Sequence, residues 1–201
     1  GFHLGLEELG GKCVFAAEKN KKLRDLYISN FPDVSEKHIA SDIMKVDYSS
    51  IPKHDILCAG FPCQPFSQAG KRKGMKDPLN GSLFNSILET IDAAKTKPSY
   101  LILENVPTIL TLSDGVYWRK ITKSLVKRGY EVDWKILSPN EFGIPQNRRR
   151  VFLVGAQNGL NHFNWPKNLN GYKVLDDFLE SNPSEKMTLS EDKQEVLDLW
   201  N

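Results

Sequence analysis

The fold is decided by the stretch Asp55–Gly60, DILCAG, a short apolar run that a glycine closes. A continuous apolar run of this length is typical of a buried strand in a parallel sheet. The run Tyr100–Glu104, YLILE, has the same character. Between the two runs lie a loop rich in glycine and lysine and a helical pattern over 82–94. This order predicts a strand, a helix and a second strand.

The alternation of strands and helices continues in both directions from this unit. The remaining expected elements, in chain order, are a helix that carries Phe2, Leu6 and Leu9 and ends at Gly10, a strand over 13–17, a helix over 19–31, a helix over 117–127, and strands over 132–137 and 150–155. Strands that alternate with helices predict an α/β domain with a mostly parallel, doubly wound sheet.

The composition is that of a globular domain. The 201 residues are 40% hydrophobic and 26% charged, which excludes disorder, collagen and coiled coil, and the net charge of +2 does not by itself indicate nucleic-acid binding. Three cysteines without a CxxC spacing argue against a disulfide framework or a zinc ribbon, so we expect no metal. No apolar run approaches the roughly 18 residues of a membrane span, and the first residues lack the features of a signal peptide, so we expect a cytoplasmic location.

The character of the sequence changes after Gln157, where asparagine, glycine, proline and lysine become frequent. We assign residues 1–157 to one folded core and residues 158–201 to a tail or to the start of another region. Within this second part, only 174–179 and 191–200 have a helical pattern.

Polar and reactive residues lie at the ends of the predicted strands. They are Glu18, Asp42, the segment 61–64, Glu104 with Asn105, and the run 146–150. In open α/β sheets, ligands bind at the carboxyl ends of the strands. The sequence therefore predicts one site at one edge of the sheet.

Cys63 is the strongest candidate for a reactive group at this edge. It follows a predicted strand and lies between Pro62 and Pro65, which stiffen the backbone that presents the thiol. Residues 68–76 are rich in glycine and lysine, so a basic lid is expected after a fixed nucleophile. A cysteine can also be a small buried hydrophobe, and Cys13 and Cys58, within apolar runs, are assigned to that role.

Four segments together resemble motifs of the DNA cytosine-5 methyltransferases, the bacterial modification methylases that use S-adenosylmethionine. Residues 60–67 resemble the catalytic motif, 104–106 the second catalytic motif, 146–152 the basic strand motif, and Gly1 and Phe2 followed by Glu18 the end of the cofactor region. The motifs occur in the family's order as far as about Gly155. The resemblance implies a Rossmann-like methyltransferase fold and a DNA (cytosine-5) methyltransferase activity, in a restriction-modification system.

The resemblance also implies the catalytic roles. The thiolate of Cys63 would attack C6 of cytosine, and Glu104 would donate a proton to N3, as a carboxylic acid that keeps its proton can do. Arg148 and Arg150 would contact the ring, the thiolate or the backbone. They are two residues apart at the start of a predicted strand, so we expect both on one face and Arg149 on the other.

The expected ligands of this site are S-adenosylmethionine and double-stranded DNA. Glu18 is expected to bind the ribose hydroxyls and Asp42 with Ile43 the adenine. The complete set of expected cofactor contacts is Gly1, Phe2, Glu18, Lys19, Asp42, Ile43, Phe61, Pro62 and Leu83. The expected DNA contacts are Gln64, Ser67, Lys71, Arg72 and Lys73. The target cytosine must leave the duplex to reach the site.

The sequence also departs from the family's pattern. Only Gly1 and Phe2 could remain of the glycine-rich cofactor loop, and neither the family's first strand nor its small target-recognition domain can be seen. The residues could be part of a longer polypeptide, the catalytic subunit of a split methylase whose second polypeptide supplies target recognition, or an inactive DNA-binding relative. A thiol hydrolase that pairs Cys63 with a histidine is a remote alternative.

Overall fold

The computed structural model describes residues 1–62, 83–169, 175–181 and 190–198. Its helices and strands are α1 (Phe2–Glu7), β1 (Ala16–Ala17), α2 (Lys21–Asn30), β2 (Ile39–Ala40), β3 (Ile56–Gly60), α3 (Leu83–Ala93), β4 (Tyr100–Asn105), α4 (Val116–Val126), β5 (Glu131–Leu137), β6 (Arg150–Ala156) and α5 (Glu191–Asp198). Short 3-10 turns include Ile43–Lys45 and Pro139–Phe142. None of the helices in these ranges is long and apolar enough to cross a membrane.

Two predicted elements are shorter than expected. The strand predicted over 13–17 consists only of Ala16 and Ala17, which pair with β2. The helix predicted over 19–31 begins at Lys21, because the side chain of Asn20 accepts the backbone N–H groups of Lys22 and Leu23 and so caps the first turn.

The strands form two groups. β1 and β2 pair in parallel, and the other four strands form a sheet in the order β3-β4-β6-β5. β3 and β4 are parallel, but β6 is antiparallel to both of its neighbours. The prediction of a mostly parallel sheet was wrong for β6. The connection 138–149 contains no α-helix that could carry the chain across the sheet, so β6 returns beside β5 in the opposite direction.

One face of the four-stranded sheet carries the core. Leu101, Leu103, Val151 and Leu153 project from this face and are almost completely buried, together with side chains of α3 and α4. We call the opposite face the site face. Strand alternation and register place on it every second residue of each strand, counted from Gly60 in β3, Glu104 in β4, Asp133 in β5 and Arg150 in β6. On β4 and β6 this face is half-buried at Ile102, Glu104, Arg150, Phe152 and Val154, while Tyr100 is exposed and Ala156 is buried.

Candidate active site

Glu104 and Arg150 meet at the carboxyl edge of the sheet. Arg150 Nε donates to Glu104 Oε1 at 2.8 Å, and their side chains are 20% and 28% exposed. Glu104 pairs with Phe152, so Arg150 lies one step further towards the carboxyl end of β4 on the same face. The antiparallel direction of β6 causes this meeting, because a parallel strand would begin at the opposite edge.

Gly60 lies beside this hydrogen-bonded pair at the end of β3. It is the register partner of Glu104 on the neighbouring parallel strand. A Cβ atom added to Gly60 would lie 3.1 Å from Glu104 Oε2, which is closer than ordinary van der Waals contact allows. The glycine therefore leaves room for the carboxyl group. From the sequence, Gly60 is expected only as the end of a strand and the first residue of the motif 60–67, and no local pattern indicates this close approach.

Asn105 connects the end of β4 to the backbone that leads to Cys63. Its side chain is 5% exposed and lies on the core face. Asn105 Nδ2 donates to the carbonyl oxygen of Phe61 at 2.5 Å, and Asn105 Oδ1 accepts the Val106 N–H at 2.9 Å. The side chain thus ties together two segments 44 residues apart. From the sequence, Asn105 is expected at a strand end beside Glu104 and within the motif 104–106, and no local pattern indicates its contact with Phe61.

The other arginines of the run are exposed, and one of them is held through its backbone. The Arg148 N–H donates to Ser138 Oγ at 3.1 Å, and Ser138 is buried. Arg148 precedes β6, so strand alternation does not determine its direction. The carbonyl oxygen of Arg149 accepts from Arg150 Nη1 at 2.8 Å. Arg150 therefore contacts Glu104, and the described contacts of Arg148 are made by its backbone N–H and not by its side chain.

A second group of predicted residues lies at the carboxyl ends of β1 and β2. The Glu18 N–H donates to the Ala40 carbonyl oxygen at 3.0 Å, and Glu18 Oε1 accepts the Asn20 N–H at 2.7 Å. Asp42 Oδ1 accepts the Met44 N–H at 3.0 Å, and Asp42 Oδ2 lies 3.8 Å from Lys19 Nζ. Glu18, Lys19, Asp42 and the half-buried Ile43 are thus neighbours at one strand edge.

The remaining expected cofactor residues have different positions. The ring of Phe61 is buried and packs on the ring of Phe84, with the centroids 5.3 Å apart. Mainly the backbone of Phe61 is therefore left for contact with a ligand. Pro62 is exposed, and Leu83 packs against the core. Gly1 and Phe2 begin α1, and none of the described contacts joins them to Glu18 or Phe61. Cys63 and the expected DNA contacts Gln64, Ser67, Lys71, Arg72 and Lys73 lie outside the described residues.

The two described cysteines have packing roles. Burial raises the pKa of the Cys58 thiol to about 11, and the nearby Cys13 adds to this shift. Cys58 is therefore a neutral thiol at physiological pH and a poor nucleophile. Cys13 donates weakly to the Phe15 carbonyl oxygen and accepts from Tyr27 Oη, each at 3.4 Å.

Sequence comparison relates the chain to one family. The family model described as C-5 cytosine-specific DNA methylase matches residues 1–201. The chain is 42% identical to the Type II methyltransferase M.MspI of Moraxella sp over 181 residues, which are 90% of this chain and 42% of that protein. It is 44% identical to M.HaeII of Haemophilus aegyptius, again over 181 residues, with 90% of this chain and 54% of that protein covered. The chain thus spans about half the length of the curated relatives it matches.

Solved structures show the same fold. A DNMT2 variant from Spodoptera frugiperda has a TM-score of 0.71 and 22% identity, with 90% of this chain and 57% of that chain covered. A DNA modification methyltransferase encoded in an E. coli prophage has a TM-score of 0.65 and 18% identity, with coverage of 87% and 50%. The predicted α/β fold, doubly wound and Rossmann-like as in S-adenosylmethionine-dependent methyltransferases, is confirmed.

Proposed function

The chain belongs to the C-5 cytosine-specific DNA methylase family, and we propose that the protein containing it methylates C5 of cytosine in double-stranded DNA. The observation that carries the proposal is the contact between Arg150 on β6 and Glu104 on β4, because β4 lies next to β3, the strand that leads to Cys63. Relatives named Type II methyltransferases support a role in a restriction-modification system. The proposed compartment is the cytoplasm, where such a protein meets its DNA.

The proposed chemistry begins with Cys63. Its thiolate forms a bond to C6 of the flipped cytosine, the ring electrons move towards N3, and Glu104 gives N3 a proton. Glu104 Oε1 is held by Arg150, so Oε2, the oxygen beside Gly60, is the one we assign to N3. This addition makes C5 an enamine carbon, which could accept the methyl group that bound S-adenosylmethionine would supply, with breakage of its sulfur–methyl bond and release of the neutral thioether. A base, for which a water is a candidate, removes the C5 proton, C5=C6 re-forms, Cys63 leaves, and the N3 proton returns to Glu104.

The residues at the ends of β1 and β2 fit S-adenosylmethionine. When bound, this cofactor supplies a methyl group on a positively charged sulfur. Ribose hydroxyl groups need acceptors, and Glu18 Oε2 makes no hydrogen bond within the described part of the chain. Asp42 Oδ1 already caps a turn, so Asp42 orders the loop while Ile43 offers apolar contact to adenine. The complete set of cofactor and DNA contacts expected from the sequence is kept in the proposal.

The region that reads the DNA sequence is also part of the proposal. Residues 1–157 are assigned to the methyltransferase core and residues 158–201 to a tail or to the start of the region leading to target recognition. The matched residues are only 53% and 54% of the length of two of these relatives, which supports a further region in the same polypeptide. A second polypeptide that supplies target recognition is the alternative.

Methyl transfer by the full-length protein tests the function. Labelled S-adenosylmethionine and unmethylated genomic DNA are incubated with the wild type, with Cys63→Ala, and with Cys58→Ala as the matched control. We expect label in DNA from the wild type and from the control but none from Cys63→Ala. Equal transfer by Cys63→Ala would reject the mechanism.

The alternatives give different results in the same experiment. An inactive DNA-binding relative would bind the DNA without transferring label in any variant. A thiol hydrolase would show Cys63-dependent activity that does not require S-adenosylmethionine.

A further inference from the structure

A segment that the proposed chemistry does not use lies along the outer strand of the four-stranded sheet. We call residues 157–169 the return segment. The Leu160 N–H donates to Glu131 Oε2 at 3.2 Å, near the start of β5. Farther along, Trp165 Nε1 donates to Asp133 Oδ2 at 2.7 Å. Glu131 and Asp133 have the same parity in β5, so both contacts are made from the site face.

The return segment brings the chain back to the edge where the site lies. β6 ends at Ala156, opposite the first residue of β5, and the Gln157 N–H donates to the Ser99 carbonyl oxygen just before β4 begins. At its other end, the Leu169 N–H donates to the Glu141 carbonyl oxygen at 2.8 Å. Glu141 lies in the 3-10 turn that follows β5. The return segment therefore runs beside β5 in the same direction.

The path of the return segment is fixed locally as well. Gly159 has a φ of +83°, and a Cβ atom there would lie 3.0 Å from Glu131 Oε2, so glycine suits both the turn and the contact. The rings of Phe163 and Trp165 pack edge to face with centroids 5.0 Å apart. This pair presents the indole N–H to Asp133 as a charge-assisted hydrogen bond.

The turn Pro139–Phe142 accepts the Leu169 N–H and also lies beside the arginine run. Ser138 directly precedes the turn and accepts the Arg148 N–H. The Asn140 N–H donates to the Gln146 carbonyl oxygen at 3.2 Å. Residues 138–142 thus hold the arginine run before β6 on one side and Leu169 on the other.

We propose that the return segment is a positioning element, with Asp133 and Trp165 as its latch, that sets where the following chain leaves the sheet towards DNA. The inference rests on the proposed function, because it takes DNA as the partner of that following region. Without the hydrogen bond between Asp133 and Trp165, the backbone N–H contacts of Leu160 and Leu169 still hold the return segment. The position of residue 169, where the following chain begins, then varies more relative to Arg148. The loss therefore falls on DNA binding and site selection, while the methyl-transfer step and the cofactor site are unchanged.

The test compares two tryptophans of the full-length protein. Trp165→Phe keeps a ring against Phe163 but removes the N–H donor. Trp134→Phe is the matched control, because Trp134 lies on β5 but projects to the core face, where it packs on Trp118. KM for DNA, KM for S-adenosylmethionine and kcat are measured, and the methylated positions in unmethylated genomic DNA are mapped by bisulfite sequencing.

We expect Trp165→Phe to raise KM for DNA by about 10-fold, the scale of one lost hydrogen bond to a charged group, and to increase methylation at sites that differ by one base. KM for the cofactor and kcat should stay within about twofold, as a positioning role requires. Asp133→Ala should behave like Trp165→Phe, and Asp133→Asn, which keeps an acceptor, should recover most of the DNA affinity.

An unchanged KM for DNA with unchanged site selection would overturn the inference. A loss confined to thermal stability, or a fall of all kinetic constants together, would also overturn it, because either shows a structural role only. If the wild type transfers no methyl group, the proposed function fails. DNA binding is then measured by fluorescence anisotropy with labelled 30-base-pair duplexes of random sequence, and this measurement tests the latch by itself. Equal binding by Trp165→Phe and Trp134→Phe would then reject the latch.

Discussion

Replacing Asn105 by alanine should destabilise the protein measurably. The side chain is 5% exposed, and its amide makes two hydrogen bonds, to the Phe61 carbonyl oxygen and from the Val106 N–H. Alanine removes both bonds. The Phe61 carbonyl group is then left without its partner beside a ring that is itself buried. No other described hydrogen bond ties this residue's carbonyl group to β4.

The size of the effect follows from these contacts. A buried polar group left without its partner costs about 1–3 kcal/mol, and the second lost bond adds about 1 kcal/mol. The free energy of unfolding should therefore fall by about 2–4 kcal/mol. For a domain of this size each kcal/mol lowers the Tm by about 2–4 °C, so a decrease of about 10 °C is expected.

Differential scanning calorimetry measures this decrease, with Asn147→Ala as the control. Asn147 is exposed and lies in the neighbouring arginine run, so its replacement should leave the Tm within about 1–2 °C. Methyl transfer, measured below both melting temperatures, should fall in Asn105→Ala because the backbone before Cys63 loses its support. A Tm equal to that of Asn147→Ala would refute the reasoning, since the Asn105–Phe61 bond would then carry no stability.

Three further predictions concern the site. Gly60→Ala should push the Glu104 carboxyl group by a few tenths of an ångström and lower kcat by about 10-fold while KM for the cofactor holds, as steady-state kinetics would show; an unchanged kcat would contradict it. Alkylation of Cys58 by iodoacetamide, followed by mass spectrometry, should be slow at pH 8 and accelerate until about pH 11. Because the pKa of Cys58 in the folded protein lies above its ordinary value of 9.0, the thiol contributes fully to stability below pH 9 and loses that contribution as the pH rises to about 11. Lys71→Ala should reduce the salt dependence of DNA binding, and an identical slope in a salt titration would exclude a phosphate contact.

The order of most elements could be predicted from the sequence, because apolar runs and their polar ends are local patterns. Glu104 and Arg150 were both expected at the ends of strands, and the structure adds their contact, whereas Glu18 and Asp42 lie at the ends of the separate β1-β2 pair. The direction of β6 could not be predicted, since it depends on the absence of a helix in the connection from β5 and on pairing with β4. The Asn105–Phe61 bond and the room at Gly60 depend on distant segments meeting. The roles of the individual site residues stay predictions.

The central position of β6 has a consequence for the synthesis of the protein. β6 follows β4 and β5 in the chain, yet it lies between them and is the only described strand that joins them. Until residue 156 has left the ribosome, both strands expose unpaired backbone edges, which invite association with other chains. Nascent chains stalled before β6 should therefore be the species that aggregates or recruits chaperones, and those stalled beyond it should not.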